Sequence, residues 1–362
     1  MSTDDFKLQL IEGWQRAFPL TQKPFAILAK ETGSSEAQVL AALNEMQDEG
    51  VVTRVGAVVR PNTVGVSTLA AMNAPPERLL EVAELVNSEP GVNHNYEREH
   101  QFNLWFVATA TDTAALDEVL QRISARAGIE VISLPLQKAH HIDLGFSMVH
   151  GQMPPSGDKT SADCSCLGHA KREGVLPPPT IDIGTADREL LAAIEDGLPL
   201  VPEPYKDVAQ QLGVPEAEII ERLDRLVDGR VISRFGLVVR HRKMGYKANA
   251  MVVWDIADDE VDKLGDLLAT KPFVTLCYQR RRVLPDWPYN LFCMIHGNER
   301  SHVQEQIAEL NELVAGSTAG HTVLFSKNCF KQRGARFSSP DKSENNSSDE
   351  QAIMPVELSH AG

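Results

Sequence analysis

Five cysteines in 362 residues are too few and too scattered to form a disulfide framework. No apolar run approaches the roughly 20 residues of a membrane-spanning helix, and the opening Met1-Ser-Thr-Asp-Asp-Phe6 has neither the basic start nor the apolar centre of a secretory leader. Positive charge is scarce as well. Lys and Arg number 35 against 50 Asp and Glu, and the net charge of -15 repels nucleic acid and anionic membrane unless a local basic patch overrides it. The sequence also lacks a glycine-rich phosphate loop, a zinc-protease helix and a nucleophile-elbow serine. These absences predict a soluble cytoplasmic protein with no nucleic-acid or membrane partner. The 43% hydrophobic content is ample for two or more cores.

The chain contains two edited copies of one unit. A shift of 180 residues places Gly33 on Gly213, and Val51, Arg54, Gly56, Val58, Val59, Arg60 and Gly65 on identical residues at 231, 234, 236, 238, 239, 240 and 245. In the first copy, residues 7–21 read as a helix closed by Pro19, and a second helix starts at Pro24. Gly33 makes a turn, Ser35 caps a helix over 36–48, Gly50 stops it, and residues 51–60 have strand composition, which together outline a winged helix-turn-helix. Each copy continues with a strand (67–72; 248–254), an acidic helix (77–87; 259–268), a polar motif with its own strand, a further helix (113–127; 301–314) and a last strand (130–136; 322–325). That order predicts a ferredoxin-like domain, so the fold class is α+β, with two tandem copies of a winged helix-turn-helix plus a ferredoxin-like domain.

The predicted boundaries are a first unit over 1–150, divided at 65/66, and a second over 181–337, divided at 245/246. Residues 151–180 between them are rich in Gly, Pro and Ser and read as a linker. Cys164, Cys166 and His169 within it invite a metal, but a structural zinc takes four ligands and no fourth is near, so they are read as exposed thiols and no metal is assigned. Residues 338–362 have the composition of a disordered tail.

A helix that reads DNA carries Arg, Lys, Asn or Gln toward the groove and needs basic residues for the phosphates. The first copy's candidate helix has no Lys or Arg, and Glu216, Glu218, Glu221 and Asp224 outweigh Arg222 and Arg225 in the second. The modules are therefore expected to be scaffold or dimerisation surface.

The residues suited to chemistry lie in the polar motifs. On an extended backbone His94, Tyr96, Arg98 and His100 alternate onto one face, and further along stand His140 and His141 with Asp143 close by. In a ferredoxin-like sheet the end carrying His141 can return beside the motif strand and face His100. An imidazole can move a proton near neutral pH or ligate iron, and both roles are open. The second copy has Leu276 in place of His94 and Arg282 in place of His100, but keeps Tyr278, Arg280 and Arg281. No acidic residue occurs over 321–337, where Lys327, Lys331, Arg333 and Arg336 stand. Such a cationic cluster suits ligand carboxylates or phosphates, or equally Asp and Glu of the other copy.

The motifs resemble those of the siroheme decarboxylases, whose chains are similar to Lrp/AsnC regulators. The N-terminal half resembles the NirD type through His94-Asn-Tyr-Glu-Arg-Glu-His100, Phe102-Asn-Leu-Trp-Phe106 and Lys138-Ala-His-His-Ile-Asp-Leu-Gly-Phe146. The C-terminal half is similar to the NirL type through Cys277-Tyr-Gln-Arg-Arg281, Leu284-Pro-Asp-Trp-Pro-Tyr-Asn-Leu-Phe292 and Met294-Ile-His-Gly297. The resemblance implies removal of carbon dioxide from two acetate side chains of siroheme, giving didecarboxysiroheme on the route to a d-type haem. It implies no separate cofactor, since the substrate carries its own iron. On this reading His100 and His141 form the catalytic pair with His94 as a third candidate, and Tyr96, Arg98, Tyr278, Arg280 and Arg281 contact substrate. The two halves are expected to form an internal pseudo-heterodimer, with further homo-oligomerisation open. A ligand-responsive regulator of the Lrp/AsnC kind and a tetrapyrrole carrier without turnover are the alternatives.

Overall fold

The structure, a computed structural model, describes residues 3–142, 179–240, 243 and 245–334. The predicted tail, nearly all of the predicted linker with Cys164, Cys166 and His169, and also Asp143, lie outside the described residues.

The N-terminal module consists of α1 (Thr3–Trp14), α2 (Pro24–Thr32), α3 (Glu36–Asp48) and β1 (Val52–Val59). Local chemistry sets these limits. Pro24 opens α2, Gly33 closes it with φ 66°, and Ser35 and Gln38 form a capping box at the start of α3. α1 is shorter than the predicted helix over 7–21, because the chain leaves it to bridge the second copy: Ala17 pairs with Phe235, and Phe18 N–H donates to Phe235 O (3.2 Å). Gly236 permits this approach, since a Cβ there would lie 2.3 Å from Trp14 O.

The second module repeats the pattern in α6 (Thr185–Ala193), α7 (Pro204–Leu212), α8 (Glu216–Asp228) and β6 (Ile232–Val239). Its β6 pairs antiparallel with β1, Gly56 opposite Gly236, so the modules share a two-stranded sheet and one core that includes Phe18, Phe25, Leu43, Tyr205, Leu223 and Phe235. Each large apolar side chain buried there contributes roughly 1.5–3 kcal/mol. On α8, Arg222 and Arg225 are paired with Glu218 and Asp187, which removes the basic groups a duplex would meet.

The first ferredoxin-like half comprises β2 (Val66–Met72), α4 (Leu79–Ser88), β3 (Val92–Arg98), β4 (Leu104–Ala110), α5 (Thr113–Ala127) and β5 (Val131–Ile142). The second comprises β7 (Ala248–Ile256), α9 (Val261–Ala269), β8 (Val274–Arg280), β9 (Leu291–Gly297), α10 (Arg300–Val314) and β10 (Thr318–Gln332). The last strand of each half is longer than predicted, because it outruns its own sheet and pairs with the other: β5 with β8, and β10 with β3. The eight strands thereby close into a barrel of order β10-β3-β4-β2-β5-β8-β9-β7. Helices cover the outside of each half over separate cores. A fourth core inside the barrel draws Trp105 and Leu134 from one half and Val253, Trp287, Phe292 and Leu324 from the other.

Candidate functional site

β3 and β8 occupy equivalent places in the two halves and carry equivalent side chains into the barrel interior. On β3, His94 stacks near Tyr96 at 6.2 Å and Arg98 lies over the Tyr96 ring at 5.9 Å. On β8, Arg280 lies over the Tyr278 ring at 5.2 Å and over Phe292 at 5.9 Å. Arg98 donates from Nη1 to Leu324 O (3.2 Å) and Ser326 Oγ (3.1 Å), and its Nη2 reaches Met294 Sδ at 3.8 Å across the barrel. Arg280 donates from Nη1 to Leu134 O (2.8 Å), and its Nε is buried without an acceptor. Burial raises the Tyr278 phenol to about 12 and lowers the Arg280 guanidinium to about 10. A cation held in such surroundings favours an incoming anion.

The histidines occupy distinct settings. His94 is drawn down to about 4, mainly by desolvation and secondarily by the charge of Arg54, so it is neutral across the physiological range. His100 lies just beyond β3, where its Nδ1 accepts from Phe102 N–H (3.0 Å); in the neutral ring the proton therefore sits on Nε2. Burial lowers its pKa too. Its ring lies nearly parallel to Phe102 and edge-on to Trp287 at 5.5 Å.

His141 stands on β5 opposite Cys277 of β8. Around the barrel β4 and β2 separate β5 from β3, so His141 is no strand neighbour of His100, and the segment read as following the last strand is itself strand as far as Ile142. His140 points outward to α9, with Nδ1 2.6 Å from Asp266 Oδ1 and its ring against Gly265.

The cationic cluster of the second half divides in the same way. Arg282 is bound to Asp255, Asp258 and the Pro288 carbonyl, and Arg281 is exposed. Lys327 pairs with Glu97 of the first half, whereas Lys331 and Arg333 bond main-chain carbonyls around the end of α4 and the start of β3. Arg98 and Arg280 are therefore the arginines that the barrel interior receives from β3 and β8.

One residue absent from the sequence-predicted set is Trp287. The connection between β8 and β9 folds back through mutual bonds between Val283 and Trp287 and drives the indole into the barrel. There it is 0% exposed, touching Trp105 and Tyr289 (both 5.0 Å) as well as Phe102 and His100, and among the described residues its Nε1–H has no partner. The only hint in the sequence was a tryptophan set between acidic and proline residues beside an apolar strand.

Fold and site define a class: two Lrp/AsnC-like subunits joined in one chain, their ligand-binding sheets closed around an interior that carries two arginine–tyrosine pairs, with His94 beside Tyr96 and His100 beside Trp287. The family model for the siroheme decarboxylase NirDL-like helix-turn-helix domain matches residues 8–52 and 187–232, and that for the AsnC-like ligand-binding domain matches 63–140 and 243–331. The chain is 45% identical over 335 residues to the siroheme decarboxylase NirDL subunit of Paracoccus denitrificans, covering 92% of this chain and 98% of that one. It is 45% identical over 145 residues to the NirD subunit of Pseudomonas aeruginosa, covering 40% of this chain and 97% of the subunit. A crystal structure of siroheme decarboxylase NirDL in complex with an iron-uroporphyrin III analogue superposes with a TM-score of 0.64 at 26% identity, covering 93% of this chain and 95% of that one. The chain belongs to the siroheme decarboxylase family, in its fused NirDL form.

Proposed function

We propose that the protein decarboxylates siroheme within the barrel, removing carbon dioxide from two acetate side chains to give didecarboxysiroheme for a d-type haem. The observation that carries this reading is the pair of desolvated arginines, Arg98 and Arg280, one from each half and both over tyrosine rings in a single interior. Siroheme is a polyanion, and two fixed cations in poor solvent would hold its carboxylates and orient the macrocycle. No separate cofactor is invoked, because the iron arrives with the substrate.

When the bond between an acetate methylene and its carboxylate breaks, carbon dioxide leaves and the electron pair remains on the methylene carbon, which must take up a proton. His100 is the proposed donor: its Nδ1 accepts from Phe102 N–H, which leaves Nε2–H to hand over its proton while water replaces it. His141 and His94 are further candidates to supply or relay protons, and Tyr96 and Tyr278 to contact the ring system. Arg281, exposed at the barrel rim, would meet a peripheral carboxylate. The acidic helix-turn-helix surfaces weigh against the regulator alternative. Anaerobic incubation with siroheme, followed by mass spectrometry, tests the proposal: stepwise loss of one and then two carbon dioxide units is expected, and binding with no mass change would replace the enzyme with a carrier.

A further inference from the structure

Arg54 belongs to β1 of the first winged-helix module, yet its guanidinium lies against the end of β10. A Cβ built on Gly334 would sit 2.9 Å from Arg54 Cζ, Nη1 and Nη2. Gly334 comes two residues after Gln332, the register partner of His94, and the intervening Arg333 donates its N–H to Asn93 O (2.9 Å). On the opposite side a Cβ at Gly197 would lie 2.7 Å from Arg54 Cβ. The side chain thus runs through a slot between two glycines and ends beside the start of β3. The charge of Arg54 is felt at His94, where it helps hold the imidazole neutral.

The guanidinium is poorly satisfied. Nη2 donates to Ala57 O (3.1 Å), Nε is buried without an acceptor, and no ion pair forms among the described residues, although the charge of Asp196 reaches it. Burial lowers its pKa accordingly. The second copy provides a contrast. Arg234, its repeat equivalent, donates both to Leu237 O, the counterpart of Ala57 O, and to Gln15 O, and that copy has Leu276 where the first has His94. Arg54 shares with Arg234 the bond to the strand carbonyl but lacks the second one, to the 14–18 segment, that Arg234 makes.

We propose that Arg54 is a carboxylate-binding residue of the barrel site, receiving an acid side chain of the tetrapyrrole at the His94 end. The winged-helix module thereby supplies a cation to the barrel in place of a duplex-binding surface. This inference rests on the barrel being the siroheme site.

The test compares full-length wild type, Arg54→Gln and Arg54→Lys by absorbance titration with siroheme, anaerobic turnover, NMR titration of the His94 ring and thermal melting. In Arg54→Gln, Kd and KM should rise about tenfold or more with kcat little changed, the pattern of lost binding common to ground and transition states. Arg54→Lys should recover part of the affinity. Without ligand, the His94 titration should move upward in Arg54→Gln, because a neighbouring cation has gone. An Arg54→Gln protein with a lower melting point but unaltered Kd and His94 titration would make Arg54 a mere strut and overturn the proposal, as would unaltered values throughout. Wild type that neither binds nor converts siroheme would bring down the functional reading, and this inference with it; wild-type turnover matched by Arg54→Gln would remove this inference alone.

Discussion

Arg98 and Arg280 are related by the internal repeat down to their main-chain partners: each donates Nη1 to a leucine carbonyl of the opposite half, Leu324 at 3.2 Å and Leu134 at 2.8 Å. Each half thus fixes the other's cation. Replacing either arginine by Met should weaken siroheme binding about tenfold to a hundredfold, the range for losing a charge-assisted hydrogen bond. Titration of folded Arg98→Met and Arg280→Met proteins checks this, and wild-type affinity in both would take the arginines out of the binding site.

If His100 donates the proton, its removal should slow the chemical step and spare binding. His100→Ala should lower kcat by about a hundredfold to ten-thousandfold, the usual reach of general acid catalysis, with Kd for siroheme within a few fold. Undiminished turnover would shift the role to His141 or His94.

His94 ties stability to pH. The unfolded chain takes up a proton near the ordinary value of 6.5, whereas the native state refuses it until about 4. Stability from this group is therefore complete above pH 6.5 and declines as pH falls through that window, by at most about 3 kcal/mol and less where water reaches the ring. His94→Gln should flatten the corresponding part of the pH profile in urea unfolding. Profiles that stay parallel to wild type down to pH 4 would contradict the depressed pKa.

Trp287 packs against Trp105 and Tyr289 in the interior core, and its N–H has no partner among the described residues. Trp287→Ala should cost about 3–5 kcal/mol by cavity formation. Trp287→Phe keeps a ring and removes an unsatisfied donor, so its cost should be well below that of Ala, within about 1.5 kcal/mol. Denaturant unfolding of both variants provides the comparison. Equal losses would mean that the indole N–H has a partner after all.

Much of the fold could be read from local pattern. The helix expected over 113–127 is α5, and the 180-residue repeat foretold two equivalent halves. What escaped depended on partners remote in sequence. β5 runs on to Ile142 only because β8 lies beside it, and residues 15–18 leave the helix because β6 draws them away. The site followed the same division. Alternation along 94–98 foretold one shared face, but only the fold could distinguish Arg280, inside the barrel, from its exposed neighbour Arg281, or show that Arg282 is occupied by Asp255 and Asp258. Arg54 carried only its identity with Arg234 in the repeat and Trp287 only its acidic and proline neighbours, since what matters in each is the distant strand or ring it meets.

Closure of the barrel also limits how whole chains can associate. An open ferredoxin-like sheet has two free margins through which another copy could join by main-chain bonding, but here β3 and β8 have already received β10 and β5. Higher assembly therefore cannot extend the barrel sheet and falls to other surfaces: the helical outer layers, the paired winged-helix modules or the exposed Leu284 turn. Whatever whole chains do at those surfaces, the one-to-one match of the two halves stays locked within a single polypeptide.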